Sequence, residues 1–168
     1  SRLSKYLAEC GYNVTVFGKT NLSSNDQWLS LLANVIEGDI RDPDSQTNLS
    51  EFFFDIIIHL ISLDHHKSED KPSLVSSINV MPTWNLLNTF TMNGLEKFIY
   101  FSTQQVLGQI QPTRIDESWA PNPKNNYGLT HLLSENIVNY YHHKTDTKCI
   151  NIRLSNGYGS PVFKKNNC

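Results

Sequence analysis

Asp55-Ile56-Ile57-Ile58-His59-Leu60 places three isoleucines in a row and shows no alternation of apolar with polar residues. A strand of that texture buries both faces, as in a parallel sheet with helices on either side. Downstream, Lys97-Phe98-Ile99-Tyr100-Phe101-Ser102 and Lys148-Cys149-Ile150-Asn151-Ile152-Arg153 have similar text; upstream, Asn13-Val14-Thr15-Val16-Phe17 ends at Gly18, and Val35-Ile36 follows. Helical periods fill the intervals. Leu3, Tyr6, Leu7 and Cys10 recur at helical spacing, with Gly11 as the residue closing that helix. A short amphipathic stretch runs around Trp28 to Leu32, and a polar helix ends near Phe53. A long helix is predicted from Pro72 to about Met92, with Met81 and Trp84 in the core, and another from Tyr127 to about Lys144. Strands and helices in this order predict a doubly wound α/β fold with a parallel sheet. Ligands of such sheets sit at the carboxyl ends of the strands. The informative positions are therefore Gly18, Asp39, Leu60 to Ser62, Ser102 to Gln105 and Leu154 to Asn156.

Composition narrows the function classes. The chain has 168 residues, enough for one ordinary domain. Fourteen Lys and Arg stand against 16 Asp and Glu, a net charge of −2, which lacks the basic footprint of a nucleic-acid binder. The most apolar window, Phe52 to Leu63, is short and is broken by Asp55 and His59, so no membrane span is expected. Cys10, Cys149 and Cys168 are odd in number and widely spaced, which fits neither a zinc site nor a disulfide framework. A cytoplasmic location is the expectation. His65-His66 and His142-His143 are adjacent pairs whose side chains diverge, so no metal site is expected.

Six stretches, taken in order, resemble the extended short-chain dehydrogenase/reductase family in its NAD-dependent epimerase/dehydratase branch. Glu37-Gly38-Asp39-Ile40-Arg41-Asp42 is similar to that family's G-D-[IL]-R-D, and Asp55 to Ser62 to its D-x-V-[IV]-H-L-A-A. Asn79 and Thr83 fall on N-V-x-G-T, and Phe101 to Gly108 on S-[ST]-x-x-V-Y-G. Tyr127-Gly128-Leu129-Thr130-His131 falls on Y-x-x-x-K, and Arg153 to Pro161 on R-x-x-N-x-Y-G-x-P. The resemblance implies a Rossmann-like NAD(P)-binding domain and a nucleotide-sugar substrate, with a place in polysaccharide biosynthesis. It also implies a homodimer formed through the helices around Tyr127 and Pro72 to Met92. Residues 1–168 are expected to be part of that domain and a fragment of a larger enzyme. Against the family pattern they are expected to lack the first strand, the Gly-rich turn and the C-terminal substrate lobe.

The same resemblance assigns roles. Tyr127 would exchange a proton with a sugar hydroxyl or ketone, and Thr103 would hydrogen-bond the reacting oxygen. Asp39 and Ile40 would lie against the adenine, with Leu60, Ile61, Ser62 and Asn79 beside the cofactor. Leu154 would flank the nicotinamide and Asn156 would bind the substrate diphosphate. Gly18 follows what would be the family's second strand, where NAD-dependent proteins often have a carboxylate. Gly18-Lys19-Thr20 supplies none and Lys19 would face a 2′-phosphate, which tilts the expectation between NAD and NADP toward NADP.

Two departures bear on chemistry. His131 stands where the family has Lys, one helical turn from Tyr127. A free phenol has a pKa of about 10 and needs a cation beside it to act as a base near neutrality. His131 supplies either a cation below its own pKa or a neutral hydrogen-bonding imidazole. Gln104 and Gln105, expected near the substrate, stand where the 4,6-dehydratases have Asp and Glu. Neutral amides exchange no protons near pH 7, which counts against dehydration and leaves epimerisation or keto-reduction. The reading from a different class is a non-catalytic dinucleotide-binding sensor or scaffold with the same fold.

Overall fold

A computed structural model describes residues 2–19, 27–109 and 115–155. Six α-helices and five strands are formed there. They are α1 (Arg2–Glu9), β1 (Thr15–Gly18), β2 (Asn34–Glu37), α2 (Pro43–Ser50), β3 (Ile56–His59), α3 (His65–Asp70), α4 (Pro72–Asn79), α5 (Met81–Phe90), β4 (Lys97–Thr103), α6 (Asn126–Lys144) and β5 (Lys148–Leu154). Short 3-10 turns cover Gln27–Leu31 and Gln104–Leu107. All strand pairs are parallel: β1 with β2, and β3 with β4 with β5. The predicted doubly wound parallel α/β architecture is what forms, its strands lying in two blocks ordered β1-β2 and β3-β4-β5.

Local chemistry explains the ends of the elements. Gly11 closes α1 at a φ of +87°, a left-handed conformation that glycine adopts without a Cβ penalty. Asp42 caps α2 by accepting from the Asp44 and Ser45 N–H groups, and Asp64 caps α3 by accepting from Lys67 N–H. The expected single helix from Pro72 to Met92 is instead two, α4 and α5, meeting at Val80. Pro82 supplies the reason: it offers no N–H to the carbonyl four residues back, its ring crowds that carbonyl, and it disfavours helical geometry at Met81. The expected core positions Met81 and Trp84 are corrected as well, since both are about half exposed. α3 was not foreseen.

One core joins the blocks. Leu87, Phe90, Leu95, Phe98, Tyr100, Val138 and Tyr141 pack with Ile40 and Leu49, and Phe17, Ile36 and Ile57 lean against that cluster. A polar tie between α5 and α2 runs from Asn85 Nδ2 to Gln46 Oε1 at 3.0 Å. Among the described residues no helix is long and apolar enough to cross a membrane.

Candidate active site

At the carboxyl end of β4 the chain turns toward the first turn of α6. Thr103, the last residue of β4, is buried, and its Oγ1 accepts from Gln105 N–H at 3.2 Å, capping the 3-10 turn. Gln105 Oε1 accepts from Asn125 Nδ2 at 2.7 Å, and Asn125 Oδ1 accepts from Gly128 N–H at 2.7 Å, capping α6. Gly128 has to be glycine here: a Cβ would stand 2.5 Å from the Gln105 carbonyl oxygen. This chain of contacts draws Thr103, Gln105 and Tyr127 to one corner. Gln104 is half-buried and engaged with a neighbour.

His131 lies one turn beyond Tyr127, with ring centroids 4.5 Å apart, and is only 2% exposed. It is therefore not a solvated helix residue. Its Nδ1 is 2.8 Å from the Tyr100 hydroxyl. Burial pushes the imidazole pKa down to about 4, outweighing the opposing pull of Glu135. Of the two forms open at the sequence level, the neutral imidazole is the one present at pH 7. His59 also lies against Tyr100, with ring centroids 5.6 Å apart, and burial, with the nearby His131 adding to it, takes its pKa down to about 4. Burial raises the Tyr100 pKa well above the ordinary phenol value, so it stays protonated. Below this column, Glu135 holds Arg153 of β5 through a two-pronged ion pair, with Arg153 Nη2 at 2.8 Å.

A second group of side chains is organised by Asp39. Its carboxylate takes Arg41, whose Nε stands 3.0 Å away, and Lys19 Nζ at 2.8 Å. Arg41 first and Lys19 second hold it well below the usual carboxylate range. Lys19 thus pairs with Asp39 while its side chain stays about two-thirds exposed. Ile40 is buried in the core, with its backbone carbonyl accepting from Gln46 Nε2 at 2.7 Å. After β3, Leu60 and Ser62 are exposed and Ile61 is half-buried. Asn79 pins this segment, since its Oδ1 accepts from Leu63 N–H at 2.8 Å while its Nδ2 donates to Thr130 Oγ1 at 3.0 Å. Its side chain thus joins the turn after β3 to α6. Leu154 is exposed at the end of β5, and Asn156 lies outside the described residues.

A dinucleotide suits this edge. His131 Nε2 and Ser102 Oγ are buried without a hydrogen-bond partner among the described residues. Buried polar atoms of that kind need a partner, and hydroxyls of a bound group can supply one. Exposed Leu60 and Leu154 give apolar contact for flat rings. Sequence reasoning missed Tyr100, His59 and Glu135. Strand alternation puts Tyr100 on the same side as Ser102, but nothing in the sequence pairs it with a residue 31 positions away.

The NAD dependent epimerase/dehydratase family matches the chain over residues 1–167. The dTDP-D-glucose 4,6-dehydratase of Mus musculus is 32% identical over 126 residues, 74% of this chain and 36% of that protein. The crystal structure of UDP-glucose 4-epimerase with UDP-glucose from Thermotoga maritima superposes with a TM-score of 0.82 at 25% identity, covering 94% of this chain and 52% of that one. UDP-glucuronic acid 4-epimerase from Bacillus cereus, in complex with NAD, gives a TM-score of 0.77 at 25% identity over 92% and 54% of the two chains. The chain spans about half the length of the curated relatives it matches.

Proposed function

This chain belongs to the NAD-dependent epimerase/dehydratase family, and from that premise we propose that it is part of the NAD(P)-binding domain of a longer epimerase or reductase acting on a nucleotide-activated sugar. The observation that carries the reading is the corner itself. The Tyr127 ring lies against buried His131, and Gly128 presses that same helical turn onto the turn that Thr103 caps. When bound, NAD(P) supplies the acceptor and donor of the hydride. Tyr127 takes the proton of the sugar hydroxyl as the carbon is oxidised and returns it on reduction. The Thr103 hydroxyl accepts one backbone N–H and keeps its own proton to orient the reacting oxygen. His131, neutral, offers Nε2 to the cofactor ribose. Asp39, pinned by Lys19 and Arg41, holds the adenosine end, and the Leu60 to Ser62 segment, tied down by Asn79, lines the middle. That use of Lys19 favours NAD over NADP, against the tilt expected from sequence. Gln104 and Gln105 bring no acid or base to the corner, which supports epimerisation or keto-reduction over dehydration.

A homodimer fits the surface. Met81 and Trp84 on α5 and Leu129, Leu133 and Tyr140 on α6 are apolar and exposed on helices that pack together. We expect Trp84→Arg with Leu133→Arg to give a monomer by light scattering; an unchanged mass would remove this surface from the interface.

The test of activity is turnover of a panel of UDP-, dTDP- and GDP-sugars by the full-length enzyme. Tyr127→Phe should lower kcat by about 10²–10⁴-fold. The sensor reading draws on one observation, the neutral His131, which brings no cation to Tyr127. It is favoured if the cofactor binds, no sugar is converted and Tyr127→Phe changes nothing.

A further inference from the structure

His131 has two ring nitrogens, and a neutral imidazole carries its proton on only one of them. Nδ1 is 2.8 Å from the Tyr100 hydroxyl, and Nε2 has no partner among the described residues. Tyr100 is 1% exposed, so its hydroxyl proton has to find an acceptor inside the protein. Ser134 also hydrogen-bonds the Tyr100 hydroxyl and sends its own proton to the Asn79 carbonyl at 2.7 Å, so toward Tyr100 its oxygen can only accept. The imidazole lone pair is the more basic of the two acceptors and competes best for the Tyr100 proton. The groups around the imidazole are Tyr127 on its own helix, Glu135 one turn on, and Tyr100 and His59 from the strands. Glu135 is occupied by Arg153, and His59 stacks on Tyr100 without bonding to His131.

We propose that Tyr100 is a positioning residue that sets the tautomer of His131: its hydroxyl donates to Nδ1, the ring proton sits on Nε2, and that N–H is the donor offered to the cofactor ribose. The role rests on the reading of His131 as a ribose-binding residue. A ring nitrogen's donor or acceptor character is set by the bond its partner nitrogen makes. A lysine needs no such device, because every proton of its ammonium is a donor. With imidazole in the lysine's place, the opposite tautomer would present a lone pair to a ribose hydroxyl. Tyr100 removes that ambiguity.

The test is nitrogen-15 NMR of histidine-labelled full-length enzyme at pH 7.5, with the His131 signals identified by their loss in His131→Gln. The expected result is an Nε2–H tautomer in the wild type, giving way to a mixture in Tyr100→Phe, which keeps the ring and its packing. An Nδ1–H tautomer in the wild type, or no change in Tyr100→Phe, overturns the proposal. Cofactor affinity gives an independent arm. Tyr100→Phe should weaken NAD binding by about 3–10-fold, the size of one neutral hydrogen bond. In a His131→Gln background, where an amide donor needs no tautomer, the same change should cost nothing. Equal loss in both backgrounds means that Tyr100 is only structural and overturns the proposal. Failure of the enzyme reading would look different: the tautomer fixed as described and no nucleotide sugar converted.

Discussion

His59 and His131 are both buried and neutral, and this links stability to pH. Their folded pKa values lie near 4, against 6.5 for an unperturbed histidine. The unfolded chain therefore binds protons first as pH falls, so the contribution is intact above about pH 6.5 and is lost between there and pH 4. The shift corresponds to on the order of 3 kcal/mol for each histidine. We expect the urea midpoint to fall steeply over that window and the slope to flatten in His59→Gln or His131→Gln; a profile level from pH 7 to 4.5 would contradict the burial account. Asp39 is held far lower by Arg41 and Lys19, so its contribution survives this window and disappears only in stronger acid. Glu135 is 3% exposed and its charge is met by Arg153. Arg153→Leu should therefore destabilise by about 3–5 kcal/mol, because it strands a buried carboxylate. Arg153→Leu with Glu135→Leu should recover most of the loss, as calorimetry would show. At this scale the sequence was partly legible. The four-residue step from Tyr127 to His131 follows from helix geometry, whereas His131's environment depends on Tyr100, which reaches it across the fold from another element.

Between elements, the decisive contact is backbone on backbone. The Gln105 carbonyl stands where a Gly128 Cβ would be, so α6 approaches the 3-10 turn more closely than any side chain permits. Gly128→Ala should push the two apart, costing about 1–3 kcal/mol in stability. By separating Thr103 from Tyr127, it should also lower kcat more than it raises KM. An effect on stability alone would mean that the corner tolerates the shift. The strands were legible because continuous apolar runs have few other uses. The division of α4 from α5 was not foreseen, although Pro82 was there to signal it: helical periodicity persisted across the break, and a proline near a helix start is ordinary. Met81 and Trp84 were misplaced for a related reason. Apolar periodicity marks a face that is buried by something, and here that face is exposed on the chain.

Taken whole, the molecule presents a parallel sheet in two blocks, with one apolar face only partly covered. Ile56, Ile150, Ile152 and Leu154 are exposed, and β1 and β3 each pair on one edge only among the described residues. The 168-residue chain by itself should therefore bind a hydrophobic dye and self-associate at micromolar concentrations; a monodisperse, dye-free monomer would contradict this. The 168 residues contain no Gly-x-x-Gly-x-x-Gly turn to receive a pyrophosphate. NAD should accordingly bind this chain weakly or not at all by isothermal titration, and micromolar binding would show that the turn is dispensable. Fold class was readable at this scale because the apolar strands alternate with helices in order along the chain. The sheet's division and the uncovered face are properties of assembly, which no local pattern encodes. The central claim, hydride exchange between a bound nicotinamide and a nucleotide sugar with Tyr127 as the proton carrier, is tested most directly by the near-ultraviolet absorbance of the full-length enzyme loaded with oxidised cofactor. Adding the right nucleotide sugar should raise the reduced-nicotinamide band in the wild type and leave it flat in Tyr127→Phe; a loaded enzyme whose band stays flat with every sugar of the panel would contradict the account.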